Sequence, residues 1–234
     1  MEEKSLTFKK LFYEKKYNEL IFAIQTTPEK KQKTTPIQNL LGACITLRSN
    51  GKSKEDLLWA TKIFKQAYLS GNQTNDGLRS LVNFINTSVD SSSFYNIEVN
   101  FKEILRYFKE ATLFFGDHEE LILAVLRVYK YLNNSEMILF YLKLLIEKKN
   151  CKTSTICSYI YFNCFNKEKN QKFFFDQSKR LEYNTPKYDE KSLVKIHENK
   201  NDKIRLAFLS SDIVGRHSIT YFLKTILLKY DKKK

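Results

Sequence analysis

The sequence predicts a mainly α fold, an α-solenoid of about four helix pairs, followed by a short strand-loop-helix fragment of a doubly wound α/β domain. Three observations carry this expectation. Apolar residues fall at the 0, 4, 7 spacing of a single helix face in three separate segments: Ala60, Phe64, Ala67; then Ile104, Phe108, Ala111; then Met137, Tyr141, Leu144. Small residues, Gly42, Ala43 and Ala124, stand where a partner helix could approach closely. Near residue 203 the period changes, and Ile204, Leu206, Ala207, Phe208 and Leu209 form a short apolar run of strand length.

In chain order, Phe8 and Leu11 mark a first helix, and Tyr17-Asn18-Glu19-Leu20 opens its partner. Thr35-Pro36 sets a capping hydroxyl before a proline suited to the first helical position. Leu41-Gly42-Ala43 begins the next face, and the polar stretch Asn50 to Glu55 reads as a loop before the helix of Ala60. Gly71-Asn72 is a helix stop. A further pair begins at Leu81-Val82, is interrupted by Asp90-Ser91-Ser92-Ser93 as a second loop, and closes at Gly116-Asp117. Ala124-Val125 and Met137 open the last pair.

Beyond residue 150 the pattern fades. Ser154 to Phe165 reads as a buried helix and Gln171 to Leu181 as another, ended by Asn184-Thr185-Pro186, where proline removes an amide donor. Residues 186–202 have linker composition. After the strand, Ile219, Phe222, Leu223, Ile226 and Leu227 return to helical spacing. The expected division is helical repeats over 1–150, a helical junction and linker over 151–202, and an opening βα unit over 203–234.

Composition narrows the function classes. No apolar run reaches the roughly 20 residues needed to span a bilayer, and the N-terminus is charged and amphipathic, so the expected location is cytoplasmic, without membrane association. Cys44, Cys151, Cys157 and Cys164 match neither a zinc knuckle nor a CxxC redox pair. The net charge is +14. It comes from 33 lysines and only 7 arginines, scattered among acidic residues rather than gathered on one element, which argues against a specific nucleic-acid partner.

Chemistry concentrates at the end of the predicted strand. In open α/β sheets ligands collect at the carboxyl ends of strands, where Ser210, Ser211, Asp212 and His217 stand. Ser218 is placed to cap the following helix, whose positive end favours a neutral imidazole at His217. The alternative is that Asp212 and the serines satisfy turn amides and that His217 is an ordinary loop histidine. No GxGxxG or GxxxxGK[ST] spacing is present to cradle a phosphate.

Helix pairs of this kind, with an Ala-x3-Phe-x2-Ala second helix, resemble the tetratricopeptide repeat. Taken with the aromatic pair (Ser158 to Phe165, then Phe175 to Leu181) and Lys203-Ile204-Arg205 leading to Ser210-Ser211-Asp212 and His217, the chain resembles the O-linked N-acetylglucosamine transferase family, including its SPINDLY-type members. The resemblance implies transfer of a sugar from a nucleotide-sugar donor, UDP-GlcNAc, to serine or threonine hydroxyls of proteins, with the repeats holding the acceptor. It places His217 in the active-site cleft, in an acid/base or acceptor-positioning role, and Ser210, Ser211 and Asp212 as lining of the same strand end for substrate. No metal and no other cofactor are implied. The chain departs from the family in two respects. Only 17 residues follow His217, so the donor-binding half has no counterpart and the isolated chain is expected to be inactive without that catalytic remainder. The groove positions that carry asparagines in some members hold Leu40, Ser80 and Leu123. A stand-alone protein-interaction module is the competing expectation.

Overall fold

The computed structural model describes residues 2–148, 151–164, 166 and 168–184. These form α-helices with no strand among them: α1 (Glu2–Tyr13), α2 (Tyr17–Gln25), α3 (Glu29–Gln32), α4 (Thr35–Arg48), α5 (Lys54–Gly71), α6 (Asn75–Tyr95), α7 (Phe101–Phe115), α8 (Glu119–Tyr131), α9 (Ser135–Ile146), α10 (Thr153–Asn163) and α11 (Gln171–Asn184). None of the described helices is long and apolar enough to cross a membrane. The expected strand over 204–209 and the helix after it lie outside the described residues.

Local chemistry explains most helix boundaries. Ser53, Thr74, Asn100 and Asn134 each accept a hydrogen bond from the amide three residues on, satisfying a donor the helix cannot satisfy itself. At the other ends, Asn96 and Gly116 take positive φ (51° and 55°) and turn the chain out of α6 and α7. α5 ends at Gly71. The start of α4 differs from expectation by one residue. Thr34 is the cap position, and its hydroxyl donates to the Lys31 carbonyl rather than accepting from the helix, because the preceding α3 turn brings that carbonyl within reach.

Packing joins helices that are close in chain order. α4 packs on α2, α5 and α6; α6 packs on α5, α7 and α8; and α9 packs on α8 and α10. This neighbour-on-neighbour arrangement is consistent with the α-solenoid class. One apolar core runs continuously from Leu20 to Tyr159. Gly42 makes the close approach expected of it: a Cβ there would meet the Phe64 ring at 2.6 Å, so α4 and α5 sit nearer than side chains normally allow. Gly71 at the end of α5 lies against Thr35 at the start of α4, so this pair runs antiparallel.

Three further expectations are corrected. Asp90-Ser91-Ser92-Ser93 is not a loop but the last turns of α6, with Ser91 and Ser92 buried. Partners from α8 hold it helical: Arg127 pairs with Asp90, and the Ser92 hydroxyl donates to Tyr131 Oη at 2.7 Å. On α9 the buried set is Ile138, Leu142 and Leu145, one residue beyond Met137, Tyr141 and Leu144, which are only half-buried. That helix is apolar nearly all round, and the positions of α8 and α10 choose which face is covered. On α10, Ile156 and Tyr159 are buried as expected, but Tyr161 and Cys157, with Cys164 just after the helix, face solvent.

Candidate functional site

Successive first helices, α4, α6 and α8, are linked by a ladder of polar side chains. Asn83 Nδ2 on α6 donates to Asn39 Oδ1 on α4 at 3.0 Å. One turn further along α6, Asn86 Oδ1 accepts from Arg127 Nη1 on α8 at 2.9 Å, and Asp90 accepts from Arg127 Nη2. Asn39, Asn83, Asn86, Asp90 and Arg127 are all half-buried, so each retains a solvent-facing part.

The rungs span similar distances along the chain. Asn39 and Asn83 are 44 positions apart, and Asn86 and Arg127 are 41 apart. An asparagine carries both donors and an acceptor, which matches the alternating N–H and C=O of an extended peptide. Arg127 adds a planar fork of donors suited to carboxylate or carbonyl oxygens.

The second helices carry a separate polar bridge. Lys65 on α5 pairs with Glu103 on α7 at 2.8 Å, and the Tyr107 hydroxyl donates to the same carboxylate at 2.9 Å. The Lys65 ammonium holds the Glu103 carboxyl below its ordinary range. Beneath it, the rings of Tyr68 and Tyr107 meet edge-on at 5.3 Å. Burial pushes the Tyr68 hydroxyl up to about 12 and the Cys44 thiol up to about 12, so neither ionises at neutral pH. Both groups are structural.

A cavity of about 560 Å3 lies between α1, α3 and α4, lined by Phe8, Phe12, Tyr13, Ile37 and Leu40, with Lys9 and Lys31 also contributing. Among the described residues no group of three or more His, Cys, Asp or Glu side chains is gathered to hold a metal ion.

The three positions matched to groove asparagines have different fates. Leu40 lines the cavity. Ser80 is fully buried, its hydroxyl donating to the Asp76 carbonyl at 2.8 Å, and Leu123 packs on the core. The amides that do link these helices, Asn39, Asn83 and Asn86, were missed. A signal for them existed, since each is a polar residue set inside an otherwise apolar helical segment. Ser210, Ser211, Asp212 and His217 lie outside the described residues.

Comparison of the chain with family models, curated proteins and solved structures finds no match.

Proposed function

We propose that the helical array binds a protein or peptide along the ladder of its first helices, as the acceptor-holding part of a tetratricopeptide-type solenoid. The observation that carries this reading is the ladder itself. Amide and guanidinium groups recur on α4, α6 and α8, half-buried and linked from helix to helix. A series of groups so fixed loses little side-chain entropy when an extended chain is laid against it.

The test is a peptide array probed with the protein, followed by fluorescence anisotropy on the strongest binders. Asn83→Ala with Asn86→Ala should weaken binding by roughly tenfold, about two hydrogen bonds, while the circular dichroism spectrum is retained. Peptide binding that is indifferent to this double substitution overturns the reading.

The second reading adds chemistry. We infer from the Ser210-Ser211-Asp212 and His217 pattern that the array serves a protein O-glycosyltransferase, presenting an acceptor hydroxyl to a nucleotide-sugar donor. In that role His217 holds or moves the acceptor proton, and Ser210, Ser211 and Asp212 line the substrate. Radiolabelled transfer from UDP-GlcNAc to protein is the assay, run on this chain and on any longer polypeptide that contains it. Loss of transfer in His217→Ala is expected. Transfer that survives the substitution removes this assignment. If the array binds peptide but neither form transfers sugar, the interaction-module reading stands by itself.

A further inference from the structure

We propose that the cavity between α1, α3 and α4 is a binding site for a small amphiphilic acid, a molecule with an apolar body and a single carboxylate. Its volume, about 560 Å3, lies within the roughly 300–1,000 Å3 of sites that enclose small ligands. The lining is aromatic and aliphatic, from Phe8, Phe12 and Tyr13 on α1 and Ile37 and Leu40 on α4. Such a surface gains by covering an apolar body.

Charge at the cavity has one sign. Lys9 from α1 and Lys31 from α3 line it, and no carboxylate lines it with them. Neither ammonium carries an ion pair or a hydrogen bond among the described residues, whereas nearby Lys16 and Lys33 are paired with Glu14 and Glu29. Long lysine stems lie readily along apolar walls with the charge at the mouth, where it can meet an anionic head.

The neighbouring polar groups are already engaged. The Thr27 hydroxyl donates to the Ile24 carbonyl at 2.7 Å, and the Thr34 hydroxyl to the Lys31 carbonyl at 2.9 Å. Gln32 Nε2 donates to the carbonyls of Gln25 and Thr27. A sugar or nucleotide ligand needs several directed polar partners, and among the lining side chains only Lys9, Lys31 and the Tyr13 hydroxyl are without a hydrogen bond to the described residues. The chemistry therefore selects an apolar acid over a polyhydroxylated ligand. The site shares α4 with the asparagine ladder but none of its lining residues, and does not depend on its role.

Decanoate, 1-decanol and decyltrimethylammonium, all below their aggregation limits, share a tail and differ in head group. Titrated into the full chain with isoleucine and leucine methyl resonances as readout, decanoate should bind most tightly and shift Ile37 and Leu40. Lys9→Gln and Lys31→Gln should each weaken decanoate by up to about fivefold and leave decanol unchanged. Both lysines are exposed, so these variants should keep the fold. Leu40→Trp, which fills the cavity, should weaken decanoate and decanol alike. Equal affinity for the three probes, methyl shifts away from Ile37 and Leu40, or no decanoate binding overturns the proposal.

Discussion

Gly77→Ala tests how closely α5 and α6 approach. Gly77 lies in the first turn of α6, and its amide donates to the Thr74 hydroxyl oxygen that caps the helix. A Cβ built there would stand 1.8 Å from the Gly71 carbonyl oxygen at the end of α5 and 2.6 Å from the carbonyl carbon. Real Cβ contacts stay at 3.0 Å or more, so the Gly71 backbone must retreat by at least 1.2 Å (3.0 − 1.8). That oxygen accepts from both the Thr74 amide at 2.9 Å and the Thr74 hydroxyl at 2.7 Å, and neither bond survives such a shift. Two hydrogen bonds contribute about 2 kcal/mol and the overpacking about 2 more, against a gain of at most about 1 kcal/mol in helix propensity. The expected net loss is about 3 kcal/mol, read from urea unfolding followed by circular dichroism. Ser93→Ala on an exposed position of the same helix supplies the propensity control and should be neutral or slightly stabilising. A Gly77→Ala protein as stable as the parent would refute the close approach.

Two pH predictions follow from buried or paired groups. Arg48 donates to both carboxylate oxygens of Asp56, one bond being 2.8 Å, and holds that carboxyl below its ordinary range. A lowered folded pKa gives stability that is present above the unfolded value near ~4 and lost as pH falls through the folded one, so thermal unfolding should shift downward in acid. Asp56→Asn should cost about 1–2 kcal/mol at neutral pH and flatten that acid limb; an unchanged limb would contradict the pairing. Tyr68 is 2% exposed, and burial raises its hydroxyl to about 12. The unfolded tyrosine ionises near ~10, so stability falls as pH rises between the two values, by roughly 3 kcal/mol in all. Tyr68→Phe should make unfolding midpoints less sensitive to alkali, and an identical alkaline slope would show the hydroxyl is not protected.

Much of the candidate site was not legible in the sequence, and particular residues show why. The ladder residues Asn39, Asn83, Asn86 and Arg127 stand out locally only as polar positions within apolar helices, and their pairing is not legible because their partners lie 37 to 44 residues away in the chain. Repeat matching instead selected Leu40 and Ser80, the first turned into a cavity and the second into the core. Asp90 to Ser93 had the composition of a loop. The same hydroxyls and carboxylate remain helical once Arg127 and Tyr131 supply partners that the local sequence does not contain.

The sequence by itself determined where α5 and α7 stop, through Gly71 and Gly116. It also determined which faces of α5 and α7 are covered, since Ala60, Phe64, Ala67 and Ile104, Phe108, Ala111 are all buried. Those features are set by contacts within four residues and by period, which a chain carries in its order. Only the tertiary structure decided the face of α9, the length of α6, the polar ladder and the contact at Gly77. Each of these depends on how far one helix stands from another. That distance is fixed by side chains many residues apart, such as Asp90 against Arg127 and Ser92 against Tyr131, and no local pattern encodes it.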